Sequence, residues 1–170
     1  MEFLCKSCGK NHSIDQISFG ADAPAQWNIL NDDERQQSEL TNDQCIINAK
    51  EETHFFVRGC LDVPIQDSDK TFTWGVWTSL SEKSFTEMHE NWRNPERAKL
   101  PAYFGWLCTQ IPTCPDTMFL KTSVQHRDIG LRPIVAVEPT DHALSLHQQN
   151  GIARHEIERI ISSVLHEGKK

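Results

Sequence analysis

The middle of the chain alternates between apolar and polar residues. From residue 55 to residue 65 the odd positions are apolar apart from Gly59, and the even positions include charged side chains. A period of two is typical of a strand that buries one face. The polar cluster at 66–70 predicts a turn, after which residues 71–80 alternate again. The pattern therefore predicts a β-hairpin.

A second alternating stretch lies further along the chain. Residues 118–127 alternate, the segment 128–130 predicts a turn, and the apolar run 131–137 supplies a returning strand. These features predict a second hairpin.

Four segments have helical patterns instead. A polar cap followed by acidic residues predicts a short helix to about Leu40, and a serine cap predicts another that ends before Pro95. A short helix is predicted from about Ala143 to Asn150, ending at Gly151. The last helix is indicated by an apolar stripe at helical spacing: Ile157, Ile160, Ile161, Val164 and Leu165.

Two hairpins and late helices together predict an α+β fold, with an antiparallel sheet of two hairpins covered by helices on one face. A length of 170 residues fits a single domain. We expect residues 1–13 to form an N-terminal metal knuckle that is integrated with this domain 1–170.

The charge of the chain restricts the classes of partner. The formal net charge is −7, whereas proteins that bind phosphate backbones concentrate lysine and arginine. No apolar run approaches the roughly 20 residues that cross a bilayer, and the first residues do not follow the pattern of a signal peptide. These features predict a cytoplasmic protein with no membrane association, in which the cysteines stay reduced.

The strongest chemical signal is the motif formed by Cys5 and Cys8. Two thiolates separated by two residues can wrap a turn around one tetrahedral ion, and Gly9 permits the backbone conformation that such a turn needs. His12 offers an imidazole nitrogen four residues further on. The spacing predicts a structural zinc site. The alternative is a pair of unmetallated thiols; a thioredoxin-like role is disfavoured because no long strand precedes the motif.

A structural zinc site requires a fourth ligand. Four further cysteines are available, and we favour Cys45 because it stands before the apolar pair Ile46-Ile47, at the expected start of a strand. The others are Cys60, Cys108 and Cys114.

Several motifs resemble those of the DUF2199 family of uncharacterised bacterial proteins. They include Phe3-x-Cys5-x-x-Cys8-Gly9-x-x-His12, Cys45-Ile46-Ile47, Phe72-x-Trp74-Gly75-Val76-Trp77, Phe104-Gly105-Trp106-Leu107, Arg132-Pro133 and Gln148-x-x-Gly151-Ile152. The chain departs from the family pattern at Cys114 and Ala143. The resemblance implies a small bacterial cytosolic protein and favours Cys45 as a ligand beside Cys5, Cys8 and His12. It implies no reaction.

A pocket of polar and aromatic residues is a second candidate site, which would suit a hydrolase of small substrates. It requires five side chains to converge, and each of them also has a structural interpretation as a packing or rim residue. The five are Trp77, Ser79, His126, Arg132 and His142.

Three functions follow from these observations. The first is a zinc-stabilised, non-enzymatic protein that binds a protein partner or a small ligand; the acidic charge suits a basic partner, as an immunity protein would require. The second is the hydrolase. The third, nucleic-acid binding through the knuckle, is disfavoured by the net charge. No phosphate-binding loop or nucleophile elbow is present.

Overall fold

The computed structural model describes residues 1–14, 19–49 and 51–166. The described strands are β1 Glu2–Leu4, β2 Asn11–Ser13, β3 Phe19–Gly20, β4 Glu39–Leu40, β5 Gln44–Ala49, β6 Glu52–Pro64, β7 Thr71–Leu80, β8 Tyr103–Leu107, β9 Lys121–Gln125 and β10 Ile134–Val137. The α-helices are α1 Asp32–Gln36, α2 Glu82–Glu90, α3 Ala143–Asn150 and α4 Arg154–His166, and short 3-10 helices cover Ala25–Ile29 and Arg97–Lys99.

The long strands β6 and β7 form the first predicted hairpin. They pair antiparallel from Phe55 opposite Leu80 to Pro64 opposite Thr71, so the alternating pattern corresponds directly to a paired ladder. Strands β9 and β10 also pair antiparallel, with Ile134 opposite Gln125. Both predicted hairpins are confirmed.

The two hairpins do not join into the open antiparallel sheet that the sequence predicts. Strand β8 lies between β7 and β9 and pairs antiparallel with both, and β10 returns to β6, where the two run parallel. The five strands β6 to β10 therefore close into a barrel. The fold is α+β, as predicted, but the sheet is not an open one with helices on one face.

Gly59 lies where the barrel closes. A Cβ atom at this position would stand 2.5 Å from Val135 Cγ2 and 2.9 Å from the Pro133 carbonyl oxygen. The Cys60 amide donates to the same carbonyl at 2.8 Å. The closing strands can approach this closely because residue 59 has no side chain.

Two apolar clusters lie on opposite sides of the barrel wall. The larger one fills the interior, where Val57, Leu61 and Val124 are fully buried, and it extends to helix α4. The smaller one lies outside the wall under the Ala25–Ile29 helix. It contains Cys45, Ile47, Phe56, Trp77 and Cys108.

The helices begin at the predicted caps, but the first one is shorter than predicted: α1 ends at Gln36, and Glu39–Leu40 form strand β4, which pairs with β5 and so leaves the helix. Asn31 caps α1 in a capping box with Glu34, Ser81 caps α2, and α3 ends at Gly151, where φ is +78°. The apolar stripe of α4 faces the core. No helix within the described ranges has both the length and the apolar character needed to cross a bilayer.

Candidate metal centre

The N-terminal hairpin holds the knuckle. Strands β1 and β2 pair antiparallel, which places Phe3 opposite His12. Between them, the Gly9 amide donates to the Cys5 carbonyl at 2.9 Å, and Gly9 has φ +67°, in the left-handed region that glycine tolerates best. The tight turn brings the sulfurs of Cys5 and Cys8 near each other.

His12 completes the local part of the cluster. Its Nε2 atom lies 3.3 Å from Cys8 Sγ, because β2 carries the imidazole back past the turn. The His12 ring also packs against the Phe3 ring, with 5.9 Å between the two ring centroids.

Helix α4 reaches the knuckle from the other end of the chain. Ser162 and His166 are four residues apart, so they lie on the same face of the helix. Cys5 Sγ lies 3.4 Å from Ser162 Oγ and 3.4 Å from His166 Nε2. The last turn of α4 is therefore packed directly against the first cysteine.

Four potential ligand atoms meet at this point. The two sulfurs and the two imidazole nitrogens of Cys5, Cys8, His12 and His166 all lie within 4.8 Å of one another. Zinc–sulfur bonds of about 2.3 Å and zinc–nitrogen bonds of about 2.0 Å give a sulfur–nitrogen edge of about 3.5 Å in a tetrahedron. The observed contacts of 3.3 and 3.4 Å are close to this edge. The cluster can hold a metal ion.

The electrostatics of Cys5 suit a ligand. The hydrogen bond with Ser162 is the largest influence, and with the Ser7 and Cys8 amides and His166 it lowers the pKa of the Cys5 thiol to about 5, against the opposing effect of burial. Cys5 is fully buried, whereas Cys8 is exposed. Because the thiolate is the form that binds metals, Cys5 is ready to coordinate at neutral pH.

The structure does not place Cys45 in this cluster, which corrects the predicted fourth ligand. Cys45 lies on β5 opposite Phe56 and is 1% exposed, in the smaller apolar cluster with Trp77. Burial raises the pKa of its thiol to about 12. The apolar neighbours that suggested a strand also keep this sulfur protonated and away from the knuckle.

His166 takes the position that Cys45 was expected to fill. The sequence carried one relevant signal, which is that Ser162 and His166 lie four residues apart on a helix with a marked apolar stripe. That spacing shows that they share a face. It does not show that this face meets residues at the start of the chain.

The five residues of the predicted pocket do not converge. Trp77 is fully buried in the smaller cluster, and its Nε1 donates to the Ala21 carbonyl at 3.0 Å. Ser79 is partly exposed on the outer face of β7, opposite Trp106. The two residues have separate surroundings, since Trp77 belongs to the smaller apolar cluster and Ser79 lies at the surface of β7.

The other three members have separate structural roles. His126 is 2% exposed and packs between Trp92 and Tyr103; burial and the charge of Arg97 lower its pKa. Arg132 pairs with an aspartate on the loop before β5, and His142 caps α3, its Nδ1 accepting from the Leu144 amide at 3.1 Å. The hydrolase hypothesis therefore has no assembled site among the described residues.

The fold and the cluster define a small α+β barrel protein in which the β1–β2 hairpin and helix α4 meet at a Cys/His centre. Residues 4–152 match the family model DUF2199, described as an uncharacterised protein conserved in bacteria, and the chain belongs to this family. No curated protein and no solved structure matches the chain. The matched span includes Cys5, Cys8 and His12 and ends before α4, which carries His166.

Proposed function

We propose that this protein is a zinc-stabilised binding protein without enzymatic activity, in which the metal is structural. The observation that supports it is the set of four mutually close ligand atoms from Cys5, Cys8, His12 and His166. Two thiolates and two imidazoles are a typical ligand set for structural zinc. Four protein ligands leave no open position for substrate or water, which catalytic zinc sites retain.

The position of the cluster supports a structural role. Its ligands come from residues 5–12 and from the last turn of α4, so one ion would join the two ends of the described chain. The free energy of metal binding would then contribute to folding of the hairpin onto the helix.

Two observations support a binding role in preference to an enzymatic one: the acidic net charge of the chain, and the wide separation of the five residues of the predicted hydrolase pocket. The net charge of −7 favours a basic protein partner for the acidic surface, as an immunity protein would have. We propose recognition of such a partner or of a small ligand, in the cytoplasm, in preference to nucleic acid.

Metal analysis of the purified full chain tests the zinc proposal. We expect one zinc per chain and a melting temperature that falls when a chelator removes it. His166→Ala should weaken zinc affinity by more than about 100-fold, because loss of a ligand should exceed the usual effect of losing a group that only orients one.

His155→Ala is the matched control, since His155 lies exposed on the same helix and takes no part in the cluster. It should retain full zinc content. Protein that contains no zinc, takes up none when it is offered, and melts at the same temperature with and without chelator would refute the proposal.

A further inference from the structure

A cationic cleft lies at the end of the barrel, apart from the metal centre. It is lined by three arginines, Arg93, Arg97 and Arg132, together with Trp92 and the loop residues 129–131, and it encloses about 480 Å³. It shares no residue with the Cys/His cluster. Half of the arginines of the chain, Arg127 included, lie in this region of an otherwise acidic protein.

Arg97 fixes the walls of the cleft. Its side chain is 1% exposed and donates to four backbone carbonyls, those of Trp92 at 2.6 Å, Arg127 at 2.7 Å, Asp128 at 2.8 Å and Leu131 at 2.7 Å. The first carbonyl follows α2, and the other three belong to the loop between β9 and β10. Arg97 therefore joins the segment after α2 to the β9–β10 loop in the absence of ligand. The conformational entropy that these two segments would lose on binding a ligand is smaller as a result.

The charge inside the cleft is incompletely neutralised. Arg132 pairs with Asp43 through an Nε–Oδ1 contact of 2.7 Å, and this aspartate is the one acidic residue in the lining. Arg97 donates to neutral carbonyls, and burial lowers its pKa against the opposing charge of the nearby Asp128. Arg93 has no hydrogen bond or ion pair with any residue in the described ranges. Arg127 and Asp128, beside the cleft, carry opposite charges. The cleft and its edge together keep an excess of two positive charges, and the exposed guanidinium of Arg93 is open to a ligand.

Apolar groups stand beside these charges. Ile129 is 53% exposed and Leu131 is 50% exposed, so two aliphatic side chains are accessible next to the arginines. Trp92 adds an aromatic ring, over which the Arg97 guanidinium lies at 5.2 Å. A ligand that fits both features carries an anionic group and an apolar group.

We propose that this cleft binds a small organic oxyanion, a carboxylate or phosphate attached to an aromatic or aliphatic group. The anionic group lies against the exposed Arg93, with the buried Arg97 and the partly exposed Arg132 adding positive charge behind and beside it, and the apolar group covers Ile129 and Leu131. This inference goes beyond the zinc-stabilised scaffold and does not depend on zinc, since no cleft residue is a candidate ligand.

Calorimetric titration of the full-length, metal-loaded protein with four probes tests the proposal. Phenyl phosphate and benzoate represent the two head groups, inorganic phosphate lacks the apolar group, and benzyl alcohol lacks the charge. We expect phenyl phosphate or benzoate to bind more tightly than inorganic phosphate, and benzyl alcohol not to bind. The two aromatic anions distinguish a phosphate ligand from a carboxylate.

Two variants identify the site. Arg93→Gln should weaken the better aromatic anion at least about tenfold, as expected for loss of one charged hydrogen bond, whereas Arg159→Gln on α4 should not. Leu131→Ser should weaken the binding of that anion but leave the binding of inorganic phosphate unchanged.

Absence of binding by both aromatic anions, or equal binding by wild type and Arg93→Gln, would overturn the proposal. The zinc content of the same samples is measured as well, so that a failure of anion binding can be distinguished from a failure of the zinc proposal.

Discussion

The N-terminal hairpin and the barrel are stabilised by different means. The barrel closes a ring of five strands around fully buried side chains such as Val57, Leu61 and Val124. The hairpin has two strands of three residues each, and its apolar anchors are Phe3, at 9% exposure, and Ile14, at 4%. The barrel can rely on burial, whereas the hairpin has little apolar area to bury.

This difference explains why a metal centre would be found at the hairpin. An isolated two-stranded hairpin is at best marginally stable in water. Described contacts that hold it to α4 include those of Cys5 with Ser162 and His166 and one hydrogen bond from Arg154. A bound ion would add to these contacts without requiring a larger core. The comparison predicts that the stability of the barrel falls when a buried side chain is shortened. The attachment of the hairpin to α4 should instead weaken when the metal ion is removed.

The largest effect is expected from a truncation inside the barrel. Leu61 is fully buried, so Leu61→Ala should lower the free energy of unfolding by about 3 kcal/mol through lost burial and a residual cavity. Urea denaturation followed by tryptophan fluorescence measures this change. The folded fraction should keep its full zinc content.

Leu146→Ala on α3 is the matched control, because Leu146 is 41% exposed. Its effect should stay within about 0.5 kcal/mol. Similar losses for both variants, or loss of zinc from folded Leu61→Ala, would contradict the division between barrel and hairpin.

Sequence reasoning predicted the local parts of the fold and missed the closure. The first hairpin and α3 follow from patterns within about 30 residues, and both are present. Strand β8, Tyr103–Leu107, has apolar residues at its exposed positions Phe104 and Trp106, so its sequence shows no alternation of apolar and polar residues. The parallel contact between Ile134 and Cys60 joins segments far apart in the chain, so no local pattern indicates it.

The same limit applies to the site. Cys5, Cys8 and His12 were found because a tight turn fixes their spacing. His166 lies far along the chain from these residues, and only the packing of α4 brings it to them. The apolar residues after Cys45 predict a strand, and in the structure the same surroundings bury the thiol and raise its pKa.

A second, smaller effect concerns acid sensitivity within the barrel. The pKa of His126 is lowered by burial and by the charge of Arg97, against a smaller opposing effect of the Met88 backbone, and its ring nitrogens make no hydrogen bond of good geometry among the described residues. Burial raises the pKa of the neighbouring Tyr103 hydroxyl, and the nearby Glu87 raises it further. The folded state therefore protonates His126 only at a lower pH than the unfolded chain, in which a histidine takes up a proton near pH 6.5. Stability from this residue is present above that pH and is lost as the pH falls below it.

His126→Phe should remove this dependence. At neutral pH the variant should differ from wild type by less than about 1.5 kcal/mol, because the volume is similar and two unpartnered polar atoms are lost. Urea denaturation between neutral pH and the acid side of pH 6.5, with chelator present to exclude metal release, measures the slope. His155→Phe, at an exposed position, should keep the wild-type slope. An unchanged slope in His126→Phe would show that another group controls acid sensitivity.

The smallest effect separates the metal from the remaining contacts of the hairpin. Arg154 Nη2 donates to the Glu2 carbonyl at 2.7 Å, and the half-exposed side chain also pairs with Glu158. Arg154→Gln should lower stability by less than about 1 kcal/mol while zinc is bound. After chelation, tryptic cleavage at Lys6 and Lys10 should be faster in Arg154→Gln than in wild type or Arg159→Gln, because the hairpin has then lost both attachments. Equal acceleration with zinc still bound would mean that the arginine, and not the ion, holds the hairpin against α4.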